Sequence, residues 1–253
     1  MIKIVVPISG GKDSQACLKL ALMSYQANAI LGIFCDTKFE HPITYEHIKK
    51  ISEMYDVEII TLSNGSVVDI VKKFRNFPSS RFRMCTDRLK IQASKVFYSD
   101  FAKKNGGFEV WLGMRSGEST ARRNRYKDIV DNNLYAPHEF GSSFPKYLGK
   151  MGVMFKLPIL GWSETEVIDF LGKEKNQLYD LGSKRVGCFP CLASSDSSKN
   201  RDFNFDEFGR KQYNIVLELE KEIGKSVWTS KKGAMMHNEN QSDMFDGCAF
   251  CAI

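Results

Sequence analysis

The stretch VVPISGGKDSQACLKLAL, residues 5–22, constrains this chain more than any other. An apolar run stops at Ser9-Gly10-Gly11-Lys12-Asp13-Ser14, and apolar residues then resume at helical spacing. A strand that feeds a helix through such a turn makes a cradle for phosphate. Glycine lets the backbone bend tightly and approach a ligand. The helix that follows offers unpaired N–H groups and the positive end of its dipole to an anion. Lys12 adds charge, and the hydroxyls of Ser9 and Ser14 add donors. The hexapeptide lacks the Gly-x-x-x-x-Gly-Lys-Ser/Thr spacing of the common nucleotide-binding P-loop. The plainer alternative is a strand–helix turn that merely uses glycine.

The first half of the chain repeats this order of strand and helix. Residues 3–9 predict a strand and 13–25 a helix. Residues 29–36 are continuously apolar, the mark of a strand buried on both faces. Pro42 sits where the first turn of a helix tolerates it, and helical spacing continues over 43–55. Residues 57–62 are β-branched, 67–77 and 89–104 are helical in pattern, and 108–114 predict a fourth strand after Gly106-Gly107. This alternation argues for an α/β fold, a doubly wound and mostly parallel sheet with helices on both faces. Residues 116–155 are rich in Asn, Gly and Pro and predict long loops. Ser163-Glu164-Thr165-Glu166 is a capping box that opens a helix to about residue 171. Residues 205–224 carry an amphipathic helix, and a polar tail follows to residue 246. The expected division is an α/β nucleotide-binding domain over 1–172 and an irregular or helical, cysteine-bearing region over 173–253.

At 253 residues the chain is long enough for a well-buried core. No apolar run reaches the roughly 20 residues a membrane span needs, and no secretory leader is read at the start. A cytoplasmic protein is therefore expected. The net charge of +6 is mild. Its distribution says more: Arg81, Arg83, Arg88 and Lys90 form one basic cluster, and Arg115, Arg122, Arg123, Arg125 and Lys127 another. Either an anion-binding role or a solvated face accounts for them. The seven cysteines include two C-x-x-C pairs, Cys188/Cys191 and Cys248/Cys251. In a reducing compartment such pairs point to a metal, a cluster or redox chemistry. Cys17 and Cys35 sit among apolar neighbours and read as buried filler.

Several blocks together carry a family resemblance. The loop Ser9, Gly10, Gly11, Lys12, Asp13, Ser14 resembles the PP-loop of the N-type ATP pyrophosphatases residue by residue. That superfamily cleaves ATP to AMP and pyrophosphate, generally to adenylate an acceptor. FCDTKFEHPITYEHI (34–48), RFRMCTDRLKIQ (81–92), GMRSGESTARRNR (113–125), LPILGWSETEVIDFL (157–171) and NQLYDLGSKRVGCFPCLAS (176–194) resemble motifs of the phosphoadenosine-phosphosulfate (PAPS) reductase branch. Trp162, in the fourth block, reads as a core residue. Cys85 followed by Thr86, where cluster-bearing reductases have two cysteines, is closer to the DNA-phosphorothioation sulfurtransferases. No family block is found in the last sixty residues.

The resemblance implies an adenine-nucleotide alpha-hydrolase-like fold. It implies Mg²⁺ and ATP held by Ser9–Ser14, with Asp36 near the nucleotide and Arg115, Ser119 and Arg122 on anionic groups. Asp13 is the implied partner of Mg²⁺. Asp36 also reads as a turn cap. The arginine forks suit phosphate bidentately. The implied catalytic set is Lys12, Asp13, Arg115, Cys248 and Cys251. Cys85, Cys188 and Cys191 match positions that ligate a [4Fe–4S] cluster, with Cys248 or Cys251 as the fourth thiolate. A zinc site from the two pairs, or a free redox dithiol at the tail, are the alternatives. PAPS reductases of this branch generally lose the lysine and second glycine of the loop, because their nucleotide lacks β- and γ-phosphates. They also end in a Glu-Cys-Gly-x-His segment; here no histidine follows the tail pair, and His237 precedes it.

The reading on function is a sulfurtransferase that adenylates its acceptor. A PAPS or adenosine-phosphosulfate reductase and a non-catalytic nucleotide-binding accessory protein are the alternatives. The expected partners are a nucleotide, a nucleic-acid or small-molecule acceptor, a sulfur donor such as a cysteine desulfurase, and a second copy of the chain, without a membrane.

Overall fold

The computed structural model describes residues 1–140 and 143–229. Five strands form one sheet: β1 (Ile4–Ile8), β2 (Ile30–Asp36), β3 (Ile59–Ser63), β4 (Phe108–Trp111) and β5 (Val153–Lys156). Their order is β3-β2-β1-β4-β5, and every pairing is parallel. The helices in chain order are α1 (Lys12–Ser24), α2 (Pro42–Tyr55), α3 (Val67–Phe74), α4 (Gln92–Asn105), α5 (Thr120–Arg125), α6 (Lys146–Lys150), α7 (Glu164–Leu171), α8 (Asp196–Phe203) and α9 (Glu207–Ile223).

Alternation along β1 explains the layering. Ile4, Val6 and Ile8 pack with Leu18 and Ala21 of α1 and with Ile48 and Ile51 of α2. Val5 points the other way, into a cluster with Tyr98 of α4, Phe108, Leu148 and Phe155. Both faces of the strand are apolar because both are covered, as parallel sheets require. A third cluster joins Val71 of α3 and Leu89 to Phe203, Val216, Leu219 and Trp228. It carries the last described part of the chain back onto the first half. The start of α2 is fastened there too. His41 accepts from the Ile43 amide through Nδ1, and its Nε2 donates to Asp206, the N-cap of α9, at 2.8 Å.

The expected doubly wound α/β architecture is what the chain adopts, with differences in detail. Residues 116–155 are not only loops: they hold α5, α6 and the edge strand β5. Four residues are too few to show alternation, but β5 pairs in parallel register with β4 over Phe108–Trp111. The helix expected over 67–77 stops at Phe74 because Arg75 turns left-handed at φ 46°. The helix expected from residue 89 is preceded by a π-helical segment, Thr86–Ile91. The strand expected over 108–114 ends at Trp111. Trp162 is half-buried rather than central, edge-on to Phe170 at 5.2 Å. The helix α8 had no signature in the apolar pattern, because its mostly polar sequence buries Lys199, Asp202 and Phe203.

Two expected features hold closely. Ser163 and Glu166 form a reciprocal capping box at α7, and Cys17 is fully buried in apolar surroundings. No helix of the described residues is long and apolar enough to cross a membrane.

Candidate phosphate-binding site

The order of the sheet reverses between β1 and β4. From β1 the chain runs outward to β2 and β3, then returns to the other side for β4 and β5. The crevice beyond the carboxyl ends of strands at such a point is where doubly wound folds bind ligands. The Ser9–Ser14 loop leaves β1 at this point and opens α1.

Gly10 has φ +75°, and a Cβ there would lie 2.5 Å from the Thr44 methyl. The loop therefore needs glycine for both conformation and room. Within the loop, the Ser9 amide donates to Ser14 Oγ at 3.1 Å, and the Gly11 amide to Ser9 Oγ at 3.3 Å. Ser14 Oγ donates to the Gly11 carbonyl at 2.9 Å. The hydroxyls expected to meet a phosphate thus first shape the turn itself.

The loop after β4 closes in from the other side. A Cβ on Gly113 would meet the Asp13 carbonyl at 2.6 Å, so only glycine lets the two loops pass. Two residues later, Arg115 Nε donates to Asp13 Oδ1 at 2.5 Å. Arg122 pairs with Glu118, and Glu118 also accepts from the Arg115 amide at 3.0 Å. The Ser119 hydroxyl accepts from the Arg122 amide and caps α5. The second basic cluster is therefore two things. Arg115 and Arg122 are buried ion-pair members, whereas Arg123, Arg125 and Lys127 are exposed.

Lys12 is only 5 % exposed. Its Nζ lies 2.9 Å from Glu164 Oε1 at the start of α7 and 4.8 Å from the centre of the Tyr179 ring. Its amide donates to the Tyr179 hydroxyl at 3.1 Å. Burial works against the charge of Lys12, but Tyr179, Asp13 and Glu164 outweigh it and raise the pKa above the ordinary lysine value. Asn176 donates to the Gly10 carbonyl at 3.1 Å. Segment 176–186 thus lies over the loop.

Asp36, at the end of β2, serves the next turn: its Oδ1 accepts from the Lys38 amide and the Tyr45 hydroxyl, both at 2.8 Å. Beside it lies a buried acid that the sequence reading did not single out. Glu40 accepts from the Thr37 hydroxyl and amide and from the Phe39 amide. Burial raises its pKa, against the opposing effect of Lys90. Cys188 docks here, with Sγ 3.3 Å from Thr37 Oγ1 and 3.8 Å from Glu40 Oε1. Burial is the main cause that pushes its thiol up to about 12, while Lys90 opposes and Glu40 and Cys85 add to the rise.

Cys85 and Cys188 thus lie within electrostatic reach of one another. Among the described residues, however, no three His, Cys, Asp or Glu side chains converge as a metal site. Cys85, Cys188 and Cys191 do not by themselves fit a cluster or a zinc ion. Cys248, Cys251 and His237 lie outside the described residues. For Mg²⁺ the chemistry of the loop is more favourable, since Asp13 supplies a hard oxygen donor, shared with Arg115.

Glu118, Glu164, Asn176 and Tyr179 were not foreseen as parts of the site. Glu164 lay inside the capping-box tetrapeptide and read only as a helix start. Asn176 and Tyr179 lay inside a matched block, which was the available signal.

Fold and loop together define a parallel α/β protein with a glycine-rich loop at its switch point. The family model for the phosphoadenosine phosphosulfate reductase domain matches residues 3–194, and the chain belongs to that family. An uncharacterized protein of Methanocaldococcus jannaschii is 27 % identical over 234 residues, covering 91 % of this chain and 45 % of the relative. A second from the same organism is 26 % identical, covering 88 % of this chain and 51 % of the relative. The chain spans about half the length of these curated relatives. The crystal structure of phosphoadenylyl-sulfate reductase from Candida auris, a phosphate complex, aligns with a TM-score of 0.50 at 16 % identity. The alignment covers 75 % of this chain and 83 % of that one. That likeness supports the fold.

Proposed function

We propose that this chain binds Mg-ATP on the Ser9–Ser14 loop and passes AMP to an acceptor for sulfur transfer. The acceptor oxygen attacks the α-phosphorus, the bond from that phosphorus to the bridging oxygen breaks, and pyrophosphate leaves. A sulfur nucleophile then displaces AMP from the activated acceptor. The observation that carries this reading is Lys12. A buried ammonium at a Gly-Gly-Lys-Asp loop is suited to β- and γ-phosphates, which PAPS does not have. Arg115 and Arg122 steady the charge that develops on the leaving group, and the rigid loop positions it. Asp13 is the side chain that would hold Mg²⁺, which shields phosphate charge when bound. The acceptor is a nucleic acid or a small molecule, the sulfur donor a partner protein. Residues 1–172 carry the nucleotide, and the cysteines of 173–253 the sulfur chemistry.

The test is thermal unfolding with Mg-ATP, PAPS and adenosine phosphosulfate in parallel. A ligand at about 100 times its Kd adds roughly 2.7 kcal/mol of apparent stability. A shift with Mg-ATP that Lys12→Ala abolishes supports adenylation. A shift with a phosphosulfate nucleotide alone overturns it and favours the reductase reading, which family membership keeps in view. ATP binding without pyrophosphate release in the presence of candidate acceptors favours the accessory-protein reading. Elemental analysis after anaerobic purification addresses the cysteines: about four irons per chain fits a cluster and about one zinc a Cys₄ site.

A further inference from the structure

Several donors of the Ser9–Ser14 loop are already matched by oxygens of the protein itself. Two of those oxygens come from far along the chain. The Tyr179 hydroxyl takes the Lys12 amide at 3.1 Å, and a Glu164 carboxylate oxygen takes the Lys12 ammonium at 2.9 Å. We propose that Glu164 is a built-in competitor for phosphate on Lys12, one that weakens the hold on pyrophosphate and so speeds its release. This rests on the reading that Ser9–Ser14 binds the polyphosphate of ATP.

Three observations carry it. The first is the asymmetry of the pair. The Lys12 side chain is 6 % exposed and fixed in the loop, while that of Glu164 is 60 % exposed. Glu164 lies in the first turn of α7, held by the Ser163–Glu166 capping box rather than by its own side chain. A rotamer change carries its carboxylate into water without disturbing the helix. Lys12 has no such exit.

The second is charge. Lys12, Arg115 and Arg122 face Asp13, Glu118 and Glu164, so three cations meet three carboxylates. Asp13 and Glu118 are mostly buried in their pairs, with side chains 18 % and 17 % exposed. Glu164 is the member that can leave at least cost, because its charge is the most readily hydrated. When it leaves, the site becomes net positive in step with the arriving phosphates. When pyrophosphate departs, Glu164 returns, and the buried ammonium is not left unpaired.

The third is geometry. Glu164 and Tyr179 approach neighbouring donors of one residue, the ammonium and the amide of Lys12. Together they present two oxygens where one polyphosphate would present its own.

The experiment is calorimetric titration with inorganic pyrophosphate, in EDTA and again with Mg²⁺, on the full chain. Glu164→Gln keeps the length of the side chain and the capping box and removes the competing charge. It is expected to tighten pyrophosphate by about fivefold, the equivalent of an exposed ion pair. Tyr179→Phe, which frees the amide, is expected to tighten it less. Unchanged affinity in Glu164→Gln overturns the proposal and leaves Glu164 a bystander. Weaker affinity, above all with Mg²⁺ present, also overturns it and makes Glu164 a contributor to binding. Lys12→Ala separates this proposal from the reading beneath it. If that variant binds pyrophosphate as the wild type does, the loop is not the site at all. If it loses binding while Glu164→Gln is neutral, the competitor alone fails.

Discussion

Lys12 and Lys199 are both buried lysines, and they are buried for opposite ends. Lys199 is 0 % exposed. Its Nζ meets Asp196 Oδ1 at 2.9 Å and the Val227 carbonyl at 2.5 Å, and it lies 5.4 Å from the centre of the Trp228 ring. The Asp196 side chain is only 12 % exposed and also accepts from the amide and hydroxyl of Thr229. The groups that meet Lys199 itself are largely enclosed, and the set ties α8 to the segment that follows α9. The carboxylate that pairs with Lys12 belongs to Glu164, whose side chain is 60 % exposed. A buried charge with enclosed partners is a clasp, and one with a solvent-facing partner is a socket.

The largest expected effect sets these two against each other. Lys199→Met leaves Asp196 and the Val227 carbonyl without their cation and should lower stability by roughly 3–5 kcal/mol. Lys12→Ala releases a carboxylate that water can hydrate and should change stability by less than about 1 kcal/mol. Urea unfolding of both variants checks this, and equal losses would erase the distinction between clasp and socket.

A smaller effect concerns the wall behind the loop. Gln15 of α1 accepts from His47 Nε2 at 2.8 Å, and its amide reaches the Glu174 carbonyl at 2.8 Å. Burial, aided by the positive Lys50, lowers the His47 pKa to about 4. The unfolded chain takes up this proton near pH 6.5, the folded one not until about 4. Stability should therefore fall as pH drops through that window. His47→Gln should flatten the urea midpoint between pH 7 and 5. An unaltered slope would mean that the proton of His47 is not the source of the pH dependence.

The smallest effect is the pH signature of the clasp. Burial opposes the charge of Asp196, but Lys199 and Thr229 outweigh it and hold its pKa at about 2. Its contribution is complete above the unfolded value near 3.8 and is lost as pH falls toward 2. Asp196→Asn leaves the Lys199 ammonium without its carboxylate and so lowers stability at every pH; beyond that loss it should make acid unfolding shallower in that range, as followed by circular dichroism.

The parts of the site that were legible in the sequence are those whose chemistry is local. Ser9–Ser14 declared itself because a strand end, two glycines and a helix start fit within eighteen residues. The capping box at Ser163 is equally local. Arg115 was legible as a charge but not as the partner of Asp13, because that contact depends on β4 lying beside β1. Glu164 and Tyr179 were harder still. No pattern near either residue reports that the chain will return to Lys12 over 150 positions away. The strand β5 was missed for a different reason, since what defines it is pairing with β4 rather than any periodicity of its own.

The strand order has a consequence for synthesis. β1 is the central strand, with β2 on one edge and β4 on the other. The ribosome delivers β2 soon after β1, but β4 begins at Phe108, about a hundred residues later. At about 5–20 residues per second, that edge of the nascent β1 waits roughly 5–20 s for its neighbour. Arg115, Glu164 and Tyr179 emerge later still. The loop after β1 is thus translated well before the residues that complete its surroundings, and a chaperone has its longest opportunity at the strand that carries it.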